Sequence, residues 1–97
     1  MAQFSIYRLS SGRLVCDIQS DLIEAVGTRL VVPLVPLAEL TPMPSITPVV
    51  VFAETRWVVV VPQIGAVSET ALRAPIGTLA QHRDAIKRAI DNLIDGV

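Results

Sequence analysis

Val49-Val50-Val51-Phe52-Ala53-Glu54-Thr55-Arg56-Trp57-Val58-Val59-Val60-Val61 is the stretch on which the fold turns. Branched and aromatic residues dominate both ends and the polar turn Ala53-Glu54-Thr55 separates them, which reads as two strands, Val49–Phe52 and Trp57–Val61. Four consecutive valines at 58–61 leave no polar face. The second strand is therefore expected to be covered on both faces and to lie centrally in its sheet. Trp57, the only tryptophan, is expected in the core or at a subunit interface rather than as a stacking platform.

Upstream, Arg29 to Leu34 reads as a strand that ends at Pro33, because proline lacks the ladder donor. Residues 35–48 hold Pro36, Pro42, Pro44 and Pro48 and read as a loop with one short turn near Leu37 to Leu40. At the start of the chain, Phe4, Ile6 and Arg8 alternate with their neighbours, Ser10-Ser11-Gly12 supplies a turn, and Leu14, Cys16 and Ile18 alternate again. A period of two on both sides of a glycine-containing turn predicts a hairpin. Cys16 falls on its apolar face and is expected to be a buried small hydrophobe. Leu22 and Ile23 are adjacent and cannot both point inward in a regular strand. Either one is exposed, or the segment Leu22–Gly27 is a loop presenting both.

Downstream, Val67 begins another short strand and residues 68–77, with Pro75 and Gly77, read as a connector. The period then changes. Leu79, Ile86, Ile90, Leu93 and Val97 form one helical stripe with Ala85 and Ala89 beside it. Thr78 and Gln81 fit a capping box at the helix start. Asp84 with Arg88 and Lys87 with Asp91 are i,i+4 pairs expected on the solvent face. A helix running to the last residue leaves its tip available to a partner.

The 97 residues suit one domain, 1–97. Apolar residues make up 52% and charged residues 18%, which excludes a disordered chain. So much apolar surface exceeds what one small core can hide, which points to a symmetric homodimer. A net charge of −1 argues against direct binding to nucleic acid, which needs a basic excess. One cysteine excludes an intramolecular disulfide. No apolar run approaches the ~18 residues of a spanning helix and no secretory signal is evident, so no membrane contact and a cytoplasmic location are expected.

The catalytic inventory is thin. One His and one Cys cannot supply a typical metal-ligand set, no acidic loop cluster exists, and none of the five glycines forms a phosphate loop. No cofactor is expected. His82 reads as a solvent-facing helix residue, and a Cys16–His82 couple has no local support. Acid–base cleavage of RNA needs no cofactor, and Thr28, Arg29 and Arg56 are its conceivable participants.

Several blocks carry a family likeness: Gln3-Phe4 with Ile6-Tyr7, Val15-Cys16-Asp17-Ile18-Gln19-Ser20-Asp21-Leu22-Ile23, and Thr28-Arg29-Leu30-Val31-Val32-Pro33-Leu34. Pro48-Val49, Trp57, and a last helix with Ile86, Ala89-Ile90 and Gly96-Val97 follow in order. Over nearly its whole length the chain resembles the CcdB-type toxins of ccd toxin–antitoxin modules. The resemblance implies a mainly β fold with a C-terminal α-helix, an SH3-like barrel or antiparallel sheet of the CcdB/MazF toxin fold, assembled as a homodimer. It implies binding to the DNA gyrase A subunit and trapping of gyrase on cleaved DNA, by occupancy rather than catalysis. It also implies a CcdA-type antitoxin, through which alone the toxin reaches operator DNA.

The gyrase-contacting positions carried over by this resemblance are Leu22, Ile23, Asp91, Ile94, Asp95, Gly96 and Val97. The family's terminal pattern is Trp-Gly-Ile, and here it reads Asp95-Gly96-Val97. That departure motivates an alternative, a toxin of this fold with a lost or changed topoisomerase target. A MazF-like ribonuclease toxin is the third reading.

Overall fold

The computed structural model describes residues 2–23 and 27–96 of the chain. Strand β1 (Ser5–Arg8) pairs antiparallel with β2 (Leu14–Asp17), with Ile6 opposite Cys16, as the alternation predicts. Gly12 turns this hairpin at a φ of 89°, a left-handed conformation that glycine adopts without steric cost. The central stretch gives β4 (Val49–Phe52) and β5 (Thr55–Val59). Their turn is tighter than the sequence suggests. Ala53 and Glu54 alone make it, at φ of 54° and 61°, and Thr55 already pairs with Phe52. Two successive positive φ values match the twist of the flanking strands, which lets non-glycine residues serve here.

Strand β3 runs from Thr28 to Pro36, through Pro33 rather than ending there. One edge of β3 pairs with β2; along the other, β6 (Gly65–Ser68) covers Thr28–Val31 and β5 covers Leu34–Pro36. Pro33 sits where that second edge changes neighbours. Its carbonyl accepts from the Val60 N–H at 2.9 Å, and no ladder bond there requires the donor that proline lacks.

The whole sheet is antiparallel, ordered β4-β5-β3-β2-β1-β7, where β7 is Gly77–Thr78 and β6 branches from β3. The four valines 58–61 are all buried and β5 lies between β4 and β3, as expected. The strand itself stops at Val59. Val60 bends away, and Val61–Gln63 form a 3-10 turn that delivers Val61 into the main core. The short turn expected in the proline loop is a 3-10 turn over Leu37–Glu39. The connector is more ordered than its composition suggests, with a 3-10 turn over Glu69–Ala71, and it buries Leu72.

Ile6, Leu14, Cys16, Val32, Leu34, Val50, Val59 and Val61 pack with Leu79, Ile86 and Ala89 in one core. Tyr7, Val15, Val31 and Leu72 make a smaller cluster of their own. Alternation breaks down in β2, where all four residues are buried, because this strand pairs on both edges and both of its faces are covered.

The helix α1 spans Arg83–Asp95 and starts later than the Thr78–Gln81 pattern predicts. The Thr78 hydroxyl accepts from the Ala80 N–H at 3.1 Å, a local turn that leads into a 3-10 turn over Ala80–His82. The Phe4 carbonyl accepts from the Leu79 N–H at 2.8 Å, which ties this segment to the sheet and postpones the helix. Ile86 and Ala89 are buried; Ala85, in the first turn, is exposed, and Leu93 is 38% exposed because the last turn extends beyond the core. Asp84–Arg88 and Lys87–Asp91 do not reach ion-pair distance; among the described residues the ion pairs all belong to Arg29. Gly96 ends the helix in the left-handed conformation, its N–H donating to the Asn92 carbonyl at 2.9 Å.

Candidate functional site

The loop that follows β2 presents both hydrophobes. Leu22 is 94% exposed and Ile23 58%, so of the two sequence readings the loop is the one observed; Glu24, Ala25 and Val26 of that segment lie outside the described residues. Ser20 turns the chain, its hydroxyl accepting from the Leu22 N–H at 3.2 Å and its carbonyl from the Ile23 N–H at 3.1 Å. Gln3 braces the other side. Its N–H donates to Asp21 Oδ1 at 2.8 Å and its amide nitrogen to the Ile18 carbonyl at 3.0 Å.

Beneath the loop lies a buried ion pair that sequence reasoning missed. Arg29 Nε donates to Asp17 Oδ2 at 2.8 Å, with both side chains withdrawn from solvent. The hydrogen bond to Asp17 raises the Arg29 pKa further, against the lowering effect of burial. Arg29 Nη2 reaches the Gln19 carbonyl at 3.2 Å and Asp21 at 3.7 Å. A signal for it existed: Asp17 and Arg29 are opposite charges placed in otherwise apolar strands. Leaving either alone would strand a buried charge.

The second group of candidates lies on α1. Asp91 is exposed and forms, with Lys87 and Ile90, one wall of a groove of about 140 Å³ whose other wall is Gln3, Phe4 and Ile18. Asp91 thus shares a groove with the base of the Leu22–Ile23 loop. Ile94, one residue past Leu93, is 74% exposed; Asp95 and Gly96 are exposed, and Val97 lies outside the described residues. Large aliphatic side chains held in water on ordered backbone suit association with a partner, not bond-making.

The reactive groups serve packing instead. Burial, aided by the neighbouring Asp17 carboxylate, pushes the Cys16 thiol up to about 12, so it is not a nucleophile near neutrality. His82 is not a solvent-facing helix residue. It is half-buried, and its Nε2 accepts from the Val51 N–H at 3.4 Å, joining the start of α1 to β4. The indole of Trp57 packs on the core and donates to the Phe52 carbonyl at 3.1 Å. Arg29 is committed to Asp17, which takes it out of the set of groups considered for RNA cleavage. Among the described residues no three His, Cys, Asp or Glu side chains converge as metal ligands. Among the described residues no helix is long and apolar enough to cross a membrane.

A family model described as "CcdB protein" matches residues 3–96. The chain belongs to the CcdB family. The match takes in the Leu22–Ile23 loop and the helix through Gly96, together with the antiparallel, nearly closed sheet and its single C-terminal helix. As a CcdB family member the chain is the toxin of a toxin–antitoxin system, and its family poisons rather than catalyses.

Proposed function

We propose that this CcdB-type toxin is a poison of DNA gyrase, carried by one domain of residues 1–97 that works as a cytoplasmic homodimer. Leu22 and Ile23 of the loop, with Asp91, Ile94, Asp95, Gly96 and Val97 of the helix end, bind the gyrase A subunit and hold the enzyme on cleaved DNA. A CcdA-type antitoxin relieves this, and operator DNA is reached only through it. The observation that carries the reading is the exposure of Leu22, Ile23 and Ile94 in a CcdB family chain. Apolar groups held in water in the free protein gain by burial in a partner. Further exposed aliphatics at Met43, Val49, Val51 and Ile76 support a second, subunit interface.

The test is direct. Purified protein is incubated with gyrase, ATP and plasmid, and the mixture is denatured. Linear DNA is expected, in proportion to toxin; its absence at high dose overturns the reading.

Asp95 favours a second reading, a toxin that has kept antitoxin binding but lost or changed its topoisomerase target. An exposed carboxylate stands where the family pattern has tryptophan, and a carboxylate resists desolvation in an interface. Normal growth on overexpression with antitoxin binding intact would select it.

A further inference from the structure

Gln19 is hydrogen-bonded through every polar group it owns. Its N–H donates to Asp17 Oδ1 at 3.0 Å, and its carbonyl accepts from Arg29 Nη2 at 3.2 Å. Its side-chain Oε1 accepts from the Leu30 N–H at 3.1 Å, and its Nε2 donates to the Ile23 carbonyl at 3.0 Å. The two ends of the carboxamide face partners of opposite kind. A backbone N–H requires the oxygen and a carbonyl requires the NH2, so the side chain has one orientation.

Three of these bonds anchor Gln19 to β2, to the Arg29 side chain and to β3. The fourth hangs the tip on that anchor. We propose that Gln19 is the positioning residue of the Leu22–Ile23 tip, its carboxamide tying the Ile23 carbonyl to β3 and keeping both apolar side chains presented to solvent. This rests on the reading of Leu22 and Ile23 as binding residues. A loop without the tie would gain by turning its hydrophobes onto protein surface. A loop already held in its binding conformation gives up less entropy when a partner arrives. The Asp17–Arg29 pair is the foundation of this arrangement, because it fixes both backbone groups of Gln19.

Two substitutions in the full-length chain separate tie from fold. Gln19→Glu keeps an oxygen for the Leu30 N–H but turns a second oxygen toward the Ile23 carbonyl, so only the tip bond is lost. Gln19→Met, of similar length, loses both. Backbone order parameters by NMR and the gyrase linearisation dose are read on each. In both variants Leu22 and Ile23 are expected to fall from the rigid range near ~0.85 to below ~0.6, while β2 and β3 stay rigid. The toxin dose for half-maximal linearisation is expected to rise about tenfold, the loss of one hydrogen-bonded restraint.

Unchanged order at Ile23 in Gln19→Glu overturns the proposal: if Gln19→Met loosens the tip, the Leu30 bond is the one that matters, and if it does not, Gln19 holds nothing there. Loss of order in β2 and β3 alongside the tip overturns it too, making Gln19 a residue of the fold. A loosened tip at an unchanged gyrase dose overturns it as well, because position would not govern binding. If the unsubstituted protein poisons no gyrase, the binding reading fails by itself, and the order parameters still decide whether Gln19 holds the tip.

Discussion

The ring of Phe52 fills the space that a side chain on Gly77 would need. A Cβ at Gly77 would lie 3.0 Å from Phe52 Cζ and 3.1 Å from Cδ1, and would overlap Cε1. Phe52 ends β4 and Gly77 begins β7, the two outermost strands of the sheet order. Their contact is therefore where the curled sheet nearly closes on itself.

Gly77→Ala is expected to lower stability by about 1–3 kcal/mol, the usual effect of overpacking. In a domain of this size that is a fall in Tm of roughly 4–8 °C per kcal/mol. Thermal unfolding followed by circular dichroism measures it. In the Phe52→Ala background the same substitution should have much less effect, since the ring it meets is gone. Equal losses in both backgrounds would show that the close approach is not what limits residue 77.

Asp17→Asn leaves Arg29 buried beside a neutral amide. Breaking a buried pair by removing one partner is expected to destabilise by about 3–5 kcal/mol. Urea unfolding gives the value. The paired change Asp17→Asn with Arg29→Met should recover part of the loss, because it removes the stranded charge as well.

The burial of Cys16 fixes the sign of an alkaline effect. Its thiol is pushed from 9.0 to about 12 in the folded chain, so between those values the unfolded state gives up a proton that the native state keeps. Stability from this group is whole below pH 9 and declines as pH rises toward 12. Burial raises Tyr7 too, and it acts in the same direction. Urea midpoints from neutral pH into this alkaline window are expected to fall, and to fall less steeply in Cys16→Val. An identical slope in the two proteins would exclude the thiol as a source.

Leu22→Ser touches a side chain with almost nothing packed against it. Its stability is expected within about ±0.5 kcal/mol of the unsubstituted protein. The gyrase linearisation dose should nevertheless rise at least about tenfold, as for a central interface contact. Asp95→Trp, which restores the tryptophan of the family's terminal pattern, is expected to lower that dose. Linearisation titrations with matched melting curves check both.

Much of this was legible along the chain. The β1–β2 turn at Gly12 follows from spacing and turn chemistry, and the adjacency of Leu22 and Ile23 showed that at least one of them is exposed. The misreadings have a common origin. Pro33 looks like a strand end unless the change from β6 to β5 along that edge is known. Asp17 looks like the polar side of an alternation until β3 supplies Arg29, 12 residues away. Thr78 looks like a helix cap until the Phe4 carbonyl claims the Leu79 N–H.

Local pattern therefore settled the first hairpin, the central strand pair and the C-terminal helix, to within a few residues. These depend on side-chain periods of two and 3.6 residues, a property of neighbours in the chain. Tertiary structure alone decided the buried Asp17–Arg29 pair, the Gln19 tie, the passage through Pro33 and the closure at Phe52 and Gly77. Each joins residues that only the curvature and strand order of the sheet bring within contact, and no short-range spacing encodes which distant edge will arrive.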